Sequence, residues 1–238
     1  ALYMGFFSFM GFTYFQYKED CGAEKEGEER KLLSKEKTGL AVIFVFLAVS
    51  AYFLVWLPYK SNNLIWQFFA YSNHQNYGKA KEVLKEATEI DTPFGYLPVR
   101  KRAGWQLTAI MLGIVNEQTG EKTRQDIIDI YDLLTSEIEE AAEKRPYDPQ
   151  VYYILGRLYR LGTKELGRND LDKAEIILKK SLNYSNLRTE YYNELGLVLL
   201  KQGRFEEAEK LVKDYGERVG PDNPFAVVTL GHLYFLHK

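Results

Sequence analysis

The chain has 238 residues, of which 31 are Lys or Arg and 33 are Asp or Glu, so its net charge is −2. This near balance argues against nucleic acid as the partner, because neutralising phosphates requires a basic surface. The single cysteine, Cys21, excludes an intramolecular disulfide and a cysteine-based zinc cluster.

Two apolar stretches predict membrane-spanning helices. Residues 1–17 are uncharged and rich in Phe and Tyr, and their length is the short limit for a span. The alternative for them is a re-entrant or interfacial segment. The two spans are placed at about residues 1–17 and 38–59. The second stretch, Thr38–Tyr59, contains no charged residue or histidine. As a helix it reaches about 33 Å, enough to cross a hydrocarbon core of about 30 Å.

The segment between the two spans predicts the orientation in the membrane. Residues 18–37 are polar, include six Lys or Arg residues, and predict a solvated loop. Basic residues in short loops favour the cytoplasmic side, and after the second span Lys60 stands alone until Lys79. We therefore expect residues 18–37 to form a cytosolic loop and residues 1–59 to form a hairpin in a bacterial inner membrane. Everything from Lys60 onward is then expected on the outer side of that membrane. Because residues 1–17 lack the charged start of a signal peptide, we also expect the natural chain to continue upstream.

The rest of the chain predicts helices throughout. Residues 60–147 show apolar positions at helical spacing, interrupted by a break at Thr92–Gly95 that contains Pro93. The predicted helices are Asn63–His74, Tyr77–Asp91, Pro98–Glu117 and Thr123–Lys144.

From Asp148 the sequence repeats itself. Tyr152-x-x-Leu155-Gly156-x-x-Tyr159 returns from Tyr192 and, more loosely, from Val227, and the two alanines of the second helices are 34 residues apart. This pattern resembles the tetratricopeptide repeat (TPR), with residues 60–147 as a degenerate part and 148–238 as repeats. The resemblance implies an all-α fold, an α-solenoid after two transmembrane helices, in which small residues let paired helices approach closely. The predicted repeat-packing residues are Leu155, Gly156, Ala174, Leu195, Gly196, Ala208, Leu230 and Gly231.

The concave face of such a solenoid is the predicted binding surface, formed by the first helix of each repeat. Positions two before and two or five after each equivalent leucine face this groove, and their mixed chemistry suits a peptide or another protein. The alternative is that Leu197, Leu200 and Phe235 pack against a further helix. The candidate groove residues are Tyr153, Arg157, Arg160, Asn193, Leu197, His232 and Phe235.

The sequence indicates no catalytic residue, metal site or cofactor. His232 and His237 are five residues apart, whereas a zinc pair on one helix face requires a spacing of four. Acidic pairs such as Glu206-Glu207 lie on charged helix faces, where solvation is the simplest explanation.

The order of segments also resembles the C-terminal end of bacterial O-antigen ligase/polymerase-like membrane glycosyltransferases. The residues that carry this likeness are a junction after the last span and the segment Lys144–Pro149. The junction consists of Asn62-Asn63, Asn76–Ala80, Ala87–Asp91, Thr92-Pro93-Phe94-Gly95 and Arg100. The resemblance implies a tail of an enzyme that transfers a lipid-linked polysaccharide to an acceptor, with the active site in upstream sequence. Two alternatives stay open: a non-enzymatic membrane-anchored scaffold of an envelope complex, and a ligase that glycosylates proteins. The expected partners are a protein or peptide, membrane lipid and, through upstream sequence, a lipid-linked glycan.

Overall fold

The computed structural model describes residues 26–90, 96–113, 120–220 and 224–237. These residues are helical apart from short turns, which confirms the predicted all-α class. The chain divides into two units, Ala1–Tyr52 and Phe53–Lys238. This division falls within the predicted second span, before the expected boundary at Tyr59.

The first unit contains helix α1, Glu26–Ala51. The segment predicted as a cytosolic loop, residues 18–37, is therefore helical from Glu26 onward. Local composition explains the difference, because residues 28–37 consist of Glu, Lys, Arg and Leu with one Ser, almost all strong helix formers. The predicted span at residues 1–17 lies outside the described residues.

Among the described residues, one continuous helical stretch has the length and apolar composition to cross a membrane. It is Gly39–Asn73, which begins within α1 and continues past its end. None of its most apolar window is buried against the protein. Phe44 and Phe46, for example, are each 70 % exposed. This stretch overlaps the second predicted span, residues 38–59, and it suits a membrane-spanning helix by length and composition only.

A π-helical segment, Tyr52–Trp56, separates α1 from α2, Leu57–Asn73. Pro58 follows it in the first turn of α2. Proline has no N–H to donate to the carbonyl four residues earlier, and its ring crowds that carbonyl. The wider π turn accommodates this interruption without ending the helix.

Eight further helices lie among the described residues of the second unit. They are α3 (Tyr77–Glu89), α4 (Tyr96–Gly113), α5 (Glu121–Lys144), α6 (Pro149–Leu166), α7 (Leu171–Tyr184), α8 (Thr189–Lys201), α9 (Phe205–Val219) and α10 (Pro224–His237).

Capping residues set where several of these helices begin and end. The Asp148 side chain accepts a hydrogen bond from the backbone N–H of Gln150 at 3.0 Å at the start of α6. Asn76 caps α3 in the same way, through the N–H of Lys79 at 3.3 Å. Helix α6 ends at Gly167, whose φ of 73° lies in the left-handed region that favours glycine. The turns between helices thus follow from local chemistry.

The helices of the second unit form two layers. We call α2, α4, α6, α8 and α10 the inner helices and α3, α5, α7 and α9 the outer helices. Each inner helix before α10 packs against the outer helix that follows it and against the next inner helix. Among the described outer helices, only α3 and α5 contact each other. Because neighbours are close in the inner layer and apart in the outer layer, the inner helices form the concave side of an α-solenoid.

The predicted packing residues of the first two repeats lie in the core. Gly156 sits where α6 crosses α7, and a Cβ added to it would lie 2.5 Å from Cγ of Leu178. The corresponding Cβ at Gly196 would lie 3.4 Å from Leu233, an ordinary contact. The other members of this buried set are Leu155, Ala174, Leu195 and Ala208.

The third predicted pair, Leu230 and Gly231, is placed differently. Leu230 is half-buried, and Gly231 is exposed with no neighbouring atom within 4 Å of a Cβ position. Helix α10 instead buries Ala226, Thr229 and Leu233. Within the described residues α10 contacts α8 and α9 alone, so no helix covers its other side.

Candidate interaction surface on the inner helices

A row of aromatic rings crosses the inner helices. The ring centroid of Tyr153 on α6 lies 5.6 Å from that of Trp105 on α4 and 4.9 Å from that of Tyr191 on α8. Tyr153 is only 5 % exposed, and burial raises the pKa of its phenol. This predicted groove residue therefore joins three helices and offers little surface to a ligand.

Arg157 lies one turn after Tyr153 and reaches the surface. Its guanidinium carbon is 5.3 Å from the centroid of the Trp105 ring, a cation–π geometry, and Nη1 donates to the Tyr153 hydroxyl at 3.3 Å. The Nε atom is buried and has no hydrogen-bond partner among the described residues. Arg157 is thus a half-buried cation with unused donor capacity, next to an aromatic ring that is 38 % exposed.

Arg160, the next predicted groove residue, is buried in an ion pair. Its Nε donates to Oε1 of Glu194 on α8, and the two side chains are 9 % and 4 % exposed. Removing either charge would leave the other in a poorly solvated place. Arg160 therefore fastens α6 to α8 and is not accessible to a partner.

The remaining predicted groove residues lie on α8 and α10. Asn193 and Leu197 are half-buried, and Oδ1 of Asn193 is buried without a hydrogen-bond partner among the described residues. His232 and Phe235 on α10 are exposed, Phe235 by 76 %. The structure therefore divides the predicted set into two buried residues between helices and five that reach the inner surface.

Lys201 at the end of α8 belongs to the same surface, although sequence reasoning did not select it. Burial lowers the pKa of its ammonium, and the positive charges of Arg160 and Lys164 on α6 lower it further. The carboxylate of Glu165 acts in the opposite direction on the pKa of Lys201.

Sequence reasoning also missed the contribution of α4 to this surface. Arg102 is exposed and donates to Oδ1 of Asn62 on α2, and Trp105 lies one turn further along α4. The available signal was Gly104, which packs like Gly156: a Cβ there would lie 2.5 Å from Cγ2 of Ile154. Since α4 has Ala103-Gly104 in place of Leu-Gly, the repeat motif did not reveal it.

A polar cleft of about 370 Å³ opens on the other side, between α5 and the enlarged turn after α6. Tyr131 donates its O–H to Asp170 at 3.1 Å, and Arg168 binds both carboxylate oxygens of Asp132 at 2.6 Å. Tyr159 donates to Glu139 in the same network. Burial, followed by the neighbouring carboxylates, raises the pKa of both phenols. These groups bind one another, so the cleft is a structural network that holds the turn.

The described residues contain no group of three His, Cys, Asp or Glu side chains that could hold a metal ion. The inner surface instead combines aromatic rings, cations and unsatisfied polar atoms over several helices. Such a surface can bind a polypeptide, because an extended chain supplies both backbone hydrogen-bonding groups and side chains.

Comparison with known proteins finds one family model and several solved structures that are similar to parts of this chain. The tetratricopeptide repeat family matches residues 189–214, which run from α8 into α9. Among solved structures, a MamA fragment from Desulfovibrio magneticus is 19 % identical, with 68 % of this chain and 77 % of that chain covered and a TM-score of 0.46. A thermophilic TPR protein from Thermus thermophilus is 16 % identical, with 74 % and 81 % covered and a TM-score of 0.45. No curated protein matches the chain significantly.

The repeat match and the packing of the helices together define the class of protein. The chain contains a tetratricopeptide repeat, and its second unit is a TPR-like α-solenoid. Solenoids of this kind typically bind protein partners along their concave surface.

Proposed function

We propose that the chain is a membrane-anchored scaffold whose solenoid binds a protein partner on the inner helices. The observation that carries this proposal is the pair of buried, unsatisfied polar atoms, Nε of Arg157 and Oδ1 of Asn193, at the inner surface. Buried polar groups in folded proteins almost always have a hydrogen-bond partner. A polypeptide lying across α6 and α8 would provide one for both once the two side chains rotate toward it.

Site-specific photo-crosslinking in cells tests the position of the partner. A photoreactive amino acid replaces Leu197 on the inner surface, and a matched variant carries it at the exposed outer residue Lys210. We expect a discrete crosslinked protein from position 197 and none of that size from position 210. Equal crosslinking from both positions, or from position 210 alone, would refute binding on the inner helices.

The membrane anchor in this proposal is the apolar helix that begins at Gly39. Its exposed apolar side chains support a lipid environment, and the basic residues of 18–37 support a cytoplasmic location for that end. The solenoid would then lie outside the inner membrane. A cysteine at the exposed residue Asn186 should react with a membrane-impermeant thiol reagent in intact spheroplasts, and Cys21 should not. The reverse labelling would place the solenoid in the cytoplasm.

The tail of an O-antigen ligase-like enzyme is a second candidate function. The observation that favours it is the junction Thr92–Arg100 with the segment Lys144–Pro149, whose order resembles that family. In this case the solenoid would hold an acceptor or partner near a membrane-embedded active site, raising its effective concentration. The gene upstream of the Ala1 codon distinguishes the two candidates. Eight or more further spans with a long outside loop would favour the ligase tail, and a start codon directly upstream would favour the scaffold.

A further inference from the structure

Charge is distributed unequally between the two layers of the solenoid. The inner helices carry eight basic and three acidic residues, a net charge of +5, whereas the outer helices carry twelve basic and eighteen acidic residues, a net charge of −6. The overall net charge of −2 conceals this separation. The inner helices therefore carry an excess of positive charge, part of which is neutralised by carboxylates outside this layer.

Most of the inner cations are already paired with carboxylates of the chain. Five ion pairs account for them: Lys60–Glu86, Arg100–Glu137, Lys101–Asp148, Arg160–Glu194 and Lys164–Glu165. Three cations have no carboxylate partner among the described residues. They are Arg102 on α4, Arg157 on α6 and Lys201 on α8.

These three cations lie on consecutive inner helices. Arg102 and Trp105 are one turn apart on α4, and the guanidinium of Arg157 lies 5.3 Å from the Trp105 ring. Lys201 ends α8, which packs directly against α6. Burial lowers the pKa of its ammonium, and the charges of Arg160 and Lys164 on α6 lower it further, whereas the Glu165 carboxylate acts in the opposite direction. A bound carboxylate near Lys201 would relieve that repulsion.

The spacing of the cations favours an extended chain over a single anion. Packed helices lie about 8–10 Å apart, so the distance from α4 to α8 is roughly 20 Å. One phosphate cannot reach across that distance, whereas an extended polypeptide covers it with about six residues at about 3.3 Å each. Trp105, which is 38 % exposed, lies beside Arg157, and the half-buried Leu197 lies one turn before Lys201 on α8, so both suit apolar side chains of the same segment.

The outer layer argues against a larger polyanion. Helix α5 alone carries eight acidic and three basic residues, so a nucleic acid or an anionic membrane that extended beyond the inner surface would be repelled. A short segment that stays within the inner surface avoids this repulsion.

We infer that the partner binds through an extended acidic segment of about six residues, whose carboxylates pair with Arg102, Arg157 and Lys201 and whose apolar side chains contact Trp105 and Leu197. This inference rests on the proposed function, because it names the chemistry of the partner of the same surface. It predicts binding that weakens as salt screens the charges.

Selection from a random peptide library tests the chemistry directly. The full chain in lipid nanodiscs is presented with a library of random eight-residue peptides, and bound sequences are counted. We expect the bound peptides to be enriched in Asp and Glu with interspersed apolar residues. Fluorescein-labelled copies of the strongest binders are then measured by anisotropy, beside copies in which every Asp is replaced by Asn and every Glu by Gln.

A triple variant removes the three cations: Arg102→Gln, Arg157→Gln and Lys201→Gln. Its matched control neutralises three outer cations: Lys173→Gln, Lys180→Gln and Lys210→Gln. We expect the inner variant to lose at least about tenfold in affinity for the acidic peptides, since each lost charge pair costs binding free energy. The outer control should bind as the original chain does, and circular dichroism should show equal helicity for all three.

Other results would overturn the inference in distinguishable ways. Neutral or basic binders that compete for the inner surface would refute the acidic segment and leave the proposed function standing. The absence of any selected peptide, together with no crosslink at position 197, would refute both. Displacement of the acidic peptides by millimolar inorganic phosphate or by vesicles of anionic lipid would identify a phosphate group as the ligand instead.

Discussion

Two glycines at the same position of successive repeats have different surroundings. Gly156 faces Leu178, which is fully buried and cannot move aside, whereas Gly196 has room for a methyl group. Both glycines follow the same Tyr-x-x-Leu pattern, so the difference arises from the helices packed against them.

Alanine at these two positions should therefore change stability in opposite directions. Gly156→Ala should lower the free energy of unfolding by about 1–3 kcal/mol through overpacking. Gly196→Ala should raise it by up to about 1 kcal/mol, because alanine is the better helix former. Urea unfolding of the full chain in detergent measures both variants, and shifts of the same sign would contradict the packing described for Leu178.

The buried ion pair of Arg160 gives a second prediction at this scale. Glu194→Gln should cost about 3–5 kcal/mol of unfolding free energy, because it leaves the Arg160 charge uncompensated. The matched change Glu190→Gln breaks an exposed pair with Arg188 and should cost less than about 1 kcal/mol. Leucine at both Arg160 and Glu194 should recover much of the loss, as Leu200 already occupies the position of Arg160 in the next repeat. Equal losses of unfolding free energy for Glu194→Gln and Glu190→Gln would show that the Arg160 side chain is solvated.

The repeat motif is informative at the residue scale where neighbouring helices pack on both sides of a residue. Leu155 and Leu195 lie between neighbouring helices and are buried as predicted from the motif. Tyr153 and Arg160 occupy positions that would face a groove, yet large side chains on α4 and α8 cover them. Which aromatic or acidic residue stands opposite cannot be read from one repeat, because those partners are about 34 to 48 residues away in sequence.

At the scale of the helices, α10 shows how strongly burial depends on neighbours. Its equivalent leucine, Leu230, is only partly covered, while Leu233 is 1 % exposed. The motif predicted Leu230 as the packing residue, whereas Leu233 is the buried one. Within the described residues, α10 has neighbouring helices on one side only, α8 and α9, and Leu233 faces that side. The fold class and the order of the helices were predictable from periodicity and capping residues. Which residues of α10 face the core was not predictable.

This difference predicts which residue anchors α10. Leu233→Ala should destabilise the solenoid by about 2–5 kcal/mol, as expected for a buried leucine that leaves a cavity. Phe235→Ala, at a residue that is 76 % exposed, should change stability by less than about 0.5 kcal/mol. Hydrogen exchange of the α10 amides should quicken in the first variant and not in the second. A larger loss from Phe235→Ala would mean that another surface covers it.

At the scale of the whole solenoid, buried tyrosines predict sensitivity to alkali. Burial is the main cause that raises the pKa of Tyr131, Tyr153, Tyr159 and Tyr191 above the ordinary value. The folded state therefore holds these protons where the unfolded state releases them. Their contribution to stability is complete below an ordinary phenol pKa of about 10 and is lost as pH rises above it.

Parallel measurements of phenolate absorbance and helical circular dichroism check this expectation. We expect part of the phenolate absorbance to appear together with the loss of helix, since these phenols ionise only when they become exposed. Phenylalanine at Tyr159 should shift the transition to higher pH relative to the original chain. Complete phenolate formation with intact helices would contradict the burial of the four rings.

The unequal spacing of the two layers has a mechanical consequence. Inner helices already touch one another, so the solenoid cannot curl more tightly without compressing side chains, which protein interiors resist. Flattening it would pull apart the contacting rings of Trp105, Tyr153 and Tyr191. Motion in either direction is therefore opposed, and the inner surface should have nearly the same form before and after a ligand arrives. A ligand would lose its own conformational freedom on binding, while the solenoid would lose little.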